Sequence, residues 1–291
     1  MRLLLCLAIA LLTAASPPAR ANADYVSRPQ GPTRIVSLNH CLDAILVELV
    51  PRERIAAISH YSRDPVRSPI ATLAQTLPIT YESAEEIVAL RPDLVLASRH
   101  SAIPTRNALR RVGIHYELFD VAFSVQESLA QIRRIAALVD NPEAGEVLVS
   151  KIERAIDAAR LPPGAPRLTA AVYETGGLTA GGNTVTDDLM RTIGLDNLAA
   201  RYGIKTHQPM QLELLLAAPP DLLLVGEVPG ADGTQAARVV QHRALRKVRS
   251  MRWDFPARFM YCSGPTIVEE AAALARARDA VYATAHAQAA R

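Results

Sequence analysis

Residues 85–98 read EEIVALRPDLVLAS, and residues 213–226 read ELLLAAPPDLLLVG. The two stretches share one grammar: an acidic residue, a short apolar helix, a proline stop, an aspartate, and an aliphatic run ending in a small residue. Glu85 aligns with Glu213, Pro92 with Pro220 and Asp93 with Asp221. Proline stops each helix because it lacks an amide hydrogen and clashes with the preceding turn. The aliphatic runs do not alternate with polar residues, as expected of strands covered on both faces. One helix-turn-strand unit written twice predicts two related α/β lobes.

The neighbouring sequence extends both halves. RIVSL (34–38) and RIAAIS (54–59) read as strands around the helix DAILVELV, which stops at Pro51. SAEEIVAL is a helix with Ser83 as its cap and two glutamates in its first turn. TRNALRRV is a helix stopped by Gly113, and IHYELFD returns as a strand. Strands alternating with helices of this size mean a parallel sheet. Residues 124–160 read as helix almost throughout, interrupted at Asn141-Pro142, and PPGAP (162–166) ends that run. The pattern then restarts: RLTAAVY as strand, TVTDDLMRTIGL as helix, RFMYCSG as a late strand, and TIVEEAAALARARDAVYATAHAQ as a closing helix. The expected architecture is two lobes, each with a parallel-sheet α/β core, joined by one long helix with a cleft between them.

The chain has 291 residues, 49% hydrophobic, 21% charged and 4% aromatic, with net charge +3. That is ample for a core and is neither a disordered nor a nucleic-acid-binding composition. The first residues, MRLLLCLAIALLTAA, are one arginine before a short apolar run, and ARANA supplies an A-x-A site. This predicts a secretory signal peptide over 1–23, cleaved after Ala23. Pro17 and Pro18 break the run too early for a membrane anchor, and Cys6 lies too early for lipid attachment. The remaining boundaries are an N-terminal lobe at 24–139, a linking helix at 140–162 and a C-terminal lobe at 163–291. The expected location is the periplasm, as a monomer without a lipid anchor.

The order and spacing of these segments resemble a family. RIVSLNHCLDAILVEL, ERIAAISHYSRDP and ESAEEIVALRPDLVLAS resemble the N-terminal lobe of helical-backbone (class III) periplasmic binding proteins. GGLTAGGNTVTDDLMRTIGLDNLA, QLELLLAAPPDLLLV and HRALRKVRSMR resemble the matching C-terminal lobe. These are the substrate-binding components of ABC importers for vitamin B12, ferric siderophores and haem. The resemblance implies capture of a metal chelate (cobalamin, a ferric siderophore or haem) and delivery to an inner-membrane permease, with no resident cofactor. It also implies that Glu85 and Glu213 dock against arginine pockets of the permease, through oriented carboxylate pairing. The plain alternative is that both serve their helix dipoles, and Glu86, next to Glu85, is a further candidate for the docking role.

Ligands of open parallel sheets meet the loops at the carboxyl ends of the strands. Those loops carry His40 and Cys41, His60 and Tyr61, and Arg99 and His100 in the first half. The second half offers Tyr173, Asn183 in a glycine-rich loop, Tyr261 and Cys262. Imidazole, phenolate and thiolate are competent metal ligands. His40, His60 and His100 therefore raise an alternative, a free transition-metal or haem binder, against the simpler reading that each caps a loop. Tyr61 matches a cleft aromatic of the family, whereas Trp253 is expected to pack on its own lobe. A bridge between Cys41 and Cys262 would hold the cleft narrow, which suits a binding protein poorly, and the reading goes against it.

A secreted α/β hydrolase is the competing class. The sequence has no G-x-S-x-G, no H-E-x-x-H and no G-x-x-x-x-G-K, and GGLTAGG lacks the spacing of a dinucleotide loop. A Cys41–His40 nucleophile pair is conceivable, but sequence neighbours rarely face each other productively. The expectation is a carrier with no catalytic residue and no nucleic-acid partner.

Overall fold

Parallel pairing of buried strands requires a crossover connection after each strand, and this chain supplies helices for it. A computed structural model describes residues 31–226, 242–245 and 248–289. The expected signal peptide lies outside the described residues.

The first lobe holds β1 (Ile35–Ser37), α1 (His40–Leu49), β2 (Ile55–Ser59), α2 (Ala71–Ala74), β3 (Ile79–Thr80), α3 (Ala84–Leu90), β4 (Leu94–Ser98), α4 (Ile103–Arg111) and β5 (Tyr116–Phe119). Its sheet has the order β3-β2-β1-β4-β5, with every neighbouring pair parallel. Two helices follow, α5 (Val125–Leu138) and α6 (Pro142–Ala159). The second lobe holds β6 (Leu168–Glu174), β7 (Leu178–Thr179), α7 (Val185–Ile193), β8 (Leu195–Asn197), α8 (Leu198–Arg201), β9 (Gln208–Pro209), α9 (Leu212–Ala217), β10 (Leu222–Gly226), β11 (Met251–Asp254), α10 (Arg258–Tyr261) and α11 (Thr266–Ala289). Its sheet has the order β11-β10-β6-β8, again parallel throughout.

The repeated phrase has a shared mechanical role. It forms α3 and β4 in one lobe and α9 and β10 in the other, and every residue of β4 and β10 is buried. The aspartate after each proline ties its strand to the lobe's first strand. The Asp93 carboxylate accepts from Thr33 N at 2.7 Å and Arg34 N at 2.9 Å, just before β1. The Asp221 carboxylate accepts from Thr169 N and Thr169 Oγ1, both at 2.7 Å, on β6. A charged acceptor on an otherwise unpaired strand-end amide fixes the register of two central strands.

The rod between the lobes begins where Asp140 turns left-handed at φ 53°. Asn141 caps α6 by accepting from Ala144 N, and Pro142 sits at the first helical position, where its missing amide costs nothing. Helix α6 packs against α5 and α1 on one side and α7 and α11 on the other. The main hydrophobic core runs without a break from Ile35, through Ile132 and Ile152, to Leu189 and Leu274. Two smaller cores close the outer faces of the sheets, one around Val36 and Val95, the other around Tyr173 and Leu223.

One strand differs from the sequence reading. RFMYCSG was expected as the last strand, but β11 is MRWD, and RFMY forms the short helix α10. The ladder runs one residue further, with Phe255 N donating to Val225 O at 2.9 Å. Pro256 then ends it, because proline has no amide to pair. Trp253 accordingly lies on the strand and packs against the main core.

Candidate functional site

The loops at the carboxyl ends of both sheets line two adjoining cavities. A deeper one of about 150 Å³ is walled by largely buried groups: Leu42, Phe119, Val185, Thr186, Phe259, Met260 and Cys262. An outer one of about 410 Å³ carries Tyr61, Asp64, Arg67, Glu82 and Ser101. Asn39, His40, Ser98, His100 and Tyr261 line both. Residues of both lobes therefore surround one continuous gap. Together the cavities reach the size range of small-molecule sites, about 300–1,000 Å³.

The start of α1 forms the floor. Asn39 caps the helix, its Oδ1 accepting from Cys41 N at 3.0 Å and Leu42 N at 3.3 Å. This places His40 and Cys41 at the gap. The His40 Nε2 atom is buried and has no hydrogen-bond partner. Burial pushes the His40 imidazole below its usual range, more than Asp64 draws it up, and Arg67 adds to the lowering. A neutral imidazole with an unused nitrogen is a competent ligand or acceptor.

Beneath the floor, Asp43 is fully buried and holds the loop after β2. Its Oδ2 accepts from Ser59 N at 2.9 Å and Ser62 Oγ at 2.7 Å. Burial raises the Asp43 carboxyl to about 8, despite the neighbouring Ser37 hydroxyl and the hydrogen bonds from Ser62 and Ser59, which lower it. Ser59 Oγ in turn donates to Glu82 Oε1 at 2.5 Å. Glu82 lies at φ 69°, a left-handed conformation that costs a non-glycine residue, and burial raises its carboxyl too. The Glu82 side chain lines the outer cavity.

The same loop presents the aromatic wall. Tyr61 is 51% exposed, and the His60 ring sits against it at 4.0 Å and against Tyr81 at 4.9 Å. His60 thus props the two tyrosines and does not line either cavity. From the other lobe, Tyr261 is 38% exposed, with the Arg67 guanidinium 5.4 Å from its ring centroid. His100 is held by a tight turn in which Ser98 N donates to Ser101 Oγ and His100 N donates to Ser98 Oγ, both at 3.1 Å.

Several expected site residues lie elsewhere. Tyr173 is fully buried in the outer core of the second lobe, its hydroxyl directed at Met210 O, because β6 turns that residue away from the gap. Asn183 is exposed beside the cavities and lines neither; its backbone amide donates to Lys205 O at 2.6 Å. Arg99 pairs with Asp120, and only the carboxylate reaches the cavity wall. His40, His60 and His100 do not form a metal-spaced group. Among the described residues, the one such group is His40, Cys41 and Cys262, with ligand atoms within 4.8 Å of one another.

Those two cysteines are joined. Cys41 and Cys262 form a disulfide across 221 positions, with Cα atoms 5.1 Å apart, linking α1 to the end of α10 at the cavity wall. The expectation that they stay apart is wrong. The lobes already meet along α6, Val125 N donates to Asp188 Oδ2 at 2.9 Å, and Gly264 N donates to Ser128 Oγ at 2.9 Å. The bridge ties surfaces that are already in contact.

Sequence reasoning also missed His207, Gln131, Asp64, Arg67, Asp120 and Glu82. His207 lines the deeper cavity next to the short antiparallel pair β7–β9. A search at parallel-strand ends cannot reach it. Gly181 makes that lip possible: a Cβ there would meet Ile204 O at 2.5 Å. Away from the gap, Glu85 and Glu213 are both exposed in the first turns of α3 and α9. Glu86 is committed differently, its Oε2 accepting from Tyr81 N at 2.7 Å and Thr80 Oγ1 at 2.8 Å.

Residues 35–252 match the periplasmic binding protein family. The chain is 25% identical over 220 residues to a cobalamin-binding protein of Halobacterium salinarum, covering 74% of this chain and 60% of that protein. It therefore spans less than two thirds of that relative's length. Among solved structures it is similar to the periplasmic haem-binding protein RhuT of Roseiflexus sp. RS-1, with TM-score 0.66 and 25% identity over 86% of this chain and 100% of that one. It also shares the fold of the vitamin B12-binding protein BtuF of Vibrio cholerae, with TM-score 0.62 and 16% identity over 86% of this chain and 98% of that one. Two parallel sheets, a rod-like helix between them and a gap at their strand ends accord with these matches, and the chain belongs to the periplasmic binding protein family.

Proposed function

We propose that this chain is the exported solute-binding component of an ABC importer and that it carries a corrinoid of the cobalamin type. The observation that carries the reading is the shared gap, in which Tyr61 of one lobe and Tyr261 of the other line the same outer cavity with His40 and His100 between them. Aromatic faces suit a flat macrocycle, and an imidazole suits the metal at its centre.

The choice among chelates follows from charge. Haem carries two propionates and many ferric siderophores are anionic, whereas the corrin rim bears neutral carboxamides. Among the described residues, each arginine near the gap is already engaged: Arg67 with Asp64 at 3.8 Å and over Tyr261, Arg99 with Asp120. Glu82 adds a further acceptor. A ligand carboxylate about 6 Å from an uncompensated carboxylate is disfavoured by roughly 3 kcal/mol at an effective dielectric near 20. Amide N–H groups instead find acceptors in Glu82, Asp64, Asn39 and Ser98.

Isothermal titration with cyanocobalamin and with haemin tests this. Saturable cyanocobalamin binding, weakened about 10-fold or more (about 1.4 kcal/mol) by Tyr61→Ala with Tyr261→Ala, is the expected result. Saturable haemin binding with none for cyanocobalamin would replace corrinoid by haem. Delivery to a permease rests on Glu85 and Glu213. The double alanine variant is expected to abolish uptake into membrane vesicles holding the cognate importer while leaving ligand affinity intact; surviving uptake rejects the docking role.

A further inference from the structure

We infer that the interlobe disulfide conceals a soft-metal site: once reduced, Cys41 and Cys262 together with His40 hold one thiophilic divalent ion at the floor of the gap. Three observations carry this. The two sulfurs and a ring nitrogen of His40 already lie within 4.8 Å of one another. The His40 Nε2 atom is buried without a partner, so the imidazole retains a free valence. All three residues line the deeper cavity, which leaves an open side for a fourth ligand or water.

Three donor atoms beside an open cavity would make a four-coordinate site whose fourth position is left to solvent or a ligand. Metal–sulfur bonds of about 2.3 Å and metal–nitrogen bonds of about 2.0 Å place tetrahedral ligand atoms roughly 3.5 Å apart. Parting the sulfurs to that separation is a side-chain movement at two residues, one at the start of α1 and one just after α10. The anchoring groups on both sides are independent of the bridge: the Asn39 cap holds α1, and Gly264 N donates to Ser128 Oγ.

The conversion needs a dithiol reductant. Its thiolate attacks the Cys41 sulfur, the less buried of the pair, and the S–S bond breaks to release the Cys262 thiolate. The second thiol of the reductant then displaces Cys41, leaving the reductant as a cyclic disulfide and the protein with two thiols. Binding of a divalent ion expels both thiol protons, leaving two thiolates and one neutral imidazole on the metal. A small-molecule disulfide reverses the sequence: it takes two electrons from the two thiolates and two protons from water, leaves as a dithiol, and the re-formed S–S bond releases the ion. The site would therefore exchange a metal for a covalent bond between the lobes.

The test uses the full chain with Cys6→Ser, so that no other cysteine binds metal. Oxidised and dithiothreitol-reduced samples, freed of reductant without air, are titrated with Cd²⁺ and followed by the thiolate-to-cadmium charge-transfer band. One Cd²⁺ per reduced chain and none per oxidised chain is expected. His40→Ala, whose fold is checked by the melting curve of its oxidised form, should bind at least about 10-fold more weakly. The inference is overturned if the reduced chain shows no band, or if His40→Ala binds as tightly as the parent. It is also overturned if reduction abolishes the cooperative thermal transition, which would make the bond a staple only. None of these outcomes depends on the corrinoid reading, which stands or falls on the cyanocobalamin titration.

Discussion

Replacing Asp43 by asparagine should stabilise this protein, increasingly so as pH rises. The Asp43 side chain is wholly buried, and its Oδ2 is satisfied by Ser59 N and Ser62 Oγ. Oδ1 and the nearby Ser37 Oγ are both buried and unpaired. Burial disfavours the charged form and raises the carboxyl to about 8, so the group keeps its proton, and a proton on Oδ1 can be donated to Ser37 Oγ. In the unfolded chain the same group titrates near pH 4. The folded state therefore binds one more proton between about pH 4 and pH 8. The stability this group contributes is fully present below pH 4, declines as pH rises, and is gone above pH 8. The slope is about 1.4 kcal/mol per pH unit, or roughly 4 kcal/mol between pH 4 and pH 7. Asparagine reproduces the protonated form: its amide N–H donates to Ser37 Oγ and its carbonyl accepts from Ser59 and Ser62, without titrating. Urea unfolding of both proteins at unit steps from pH 4 to pH 8 should give a stability difference that climbs with that slope. Glu174 and Glu270, also buried and raised to about 8 by burial, shift both curves alike and cancel. A constant offset between the curves, or an opposite slope, would refute the protonated Asp43.

Three further perturbations follow from the packing. Cys41→Ser with Cys262→Ser opens a closure of 221 residues and should lower unfolding free energy by about 3–5 kcal/mol in denaturant titration; a loss under about 1 kcal/mol would count against the bridge as a constraint on the unfolded chain. Arg278→Met removes a buried guanidinium whose Nη1 donates to Ala159 O at 2.8 Å and Ile193 O at 2.7 Å, leaving the ends of α6 and α7 uncapped. A cost of roughly 3 kcal/mol is expected in the same assay, and a neutral result would count against that dual cap. Gly181→Ala should force Ile204 away and displace His207, costing about 1–3 kcal/mol and weakening ligand binding; unchanged affinity would remove His207 from the site.

Much of the fold was legible because its signals are local. The helix-Pro-Asp-strand phrase encodes a strand buried on both faces and the carboxylate that registers it, so its two occurrences located both sheets. Asn141-Pro142 is likewise a local helix start, and α6 begins there. The last strand was misplaced because MRWD is a half-exposed edge strand with two charged residues, whereas RFMY has the aromatic character of a strand but follows Pro256. In the candidate site, the rule that parallel strands deliver their ligands at carboxyl ends led to His40, Tyr61 and His100; Tyr261 came from reading RFMYCSG as a strand, and it lines the cavities although RFMY is the helix α10. The same rule wrongly admitted Tyr173, since it does not say which face of β6 a residue takes. It could not find His207, Arg67 or Glu82. Those positions depend on an antiparallel lip, a cross-lobe ring contact and a left-handed residue, none of which leaves a periodic trace.

The disulfide was misjudged for a different reason, and the correction bears on how the gap works. The objection to a bridge assumed that a binding protein must open widely. Here the main core is continuous across both lobes, α6 contacts helices of each, and backbone amides cross the junction at Val125 and Gly264. A covalent link between surfaces so joined removes little motion that the native state would otherwise have. Its cost falls on the unfolded ensemble instead. Under the proposed function, recognition then rests on groups at the mouth, where Tyr61, His100 and Tyr261 remain accessible, and less on closure of one lobe on the other. A preformed gap loses less ordering entropy on binding than one assembled by the ligand, so a tight complex requires fewer contacts. It also rejects ligands more rigidly: a ligand whose polar groups mismatch Glu82, Asp64 or Asn39 cannot be accommodated by moving a lobe, only by moving side chains.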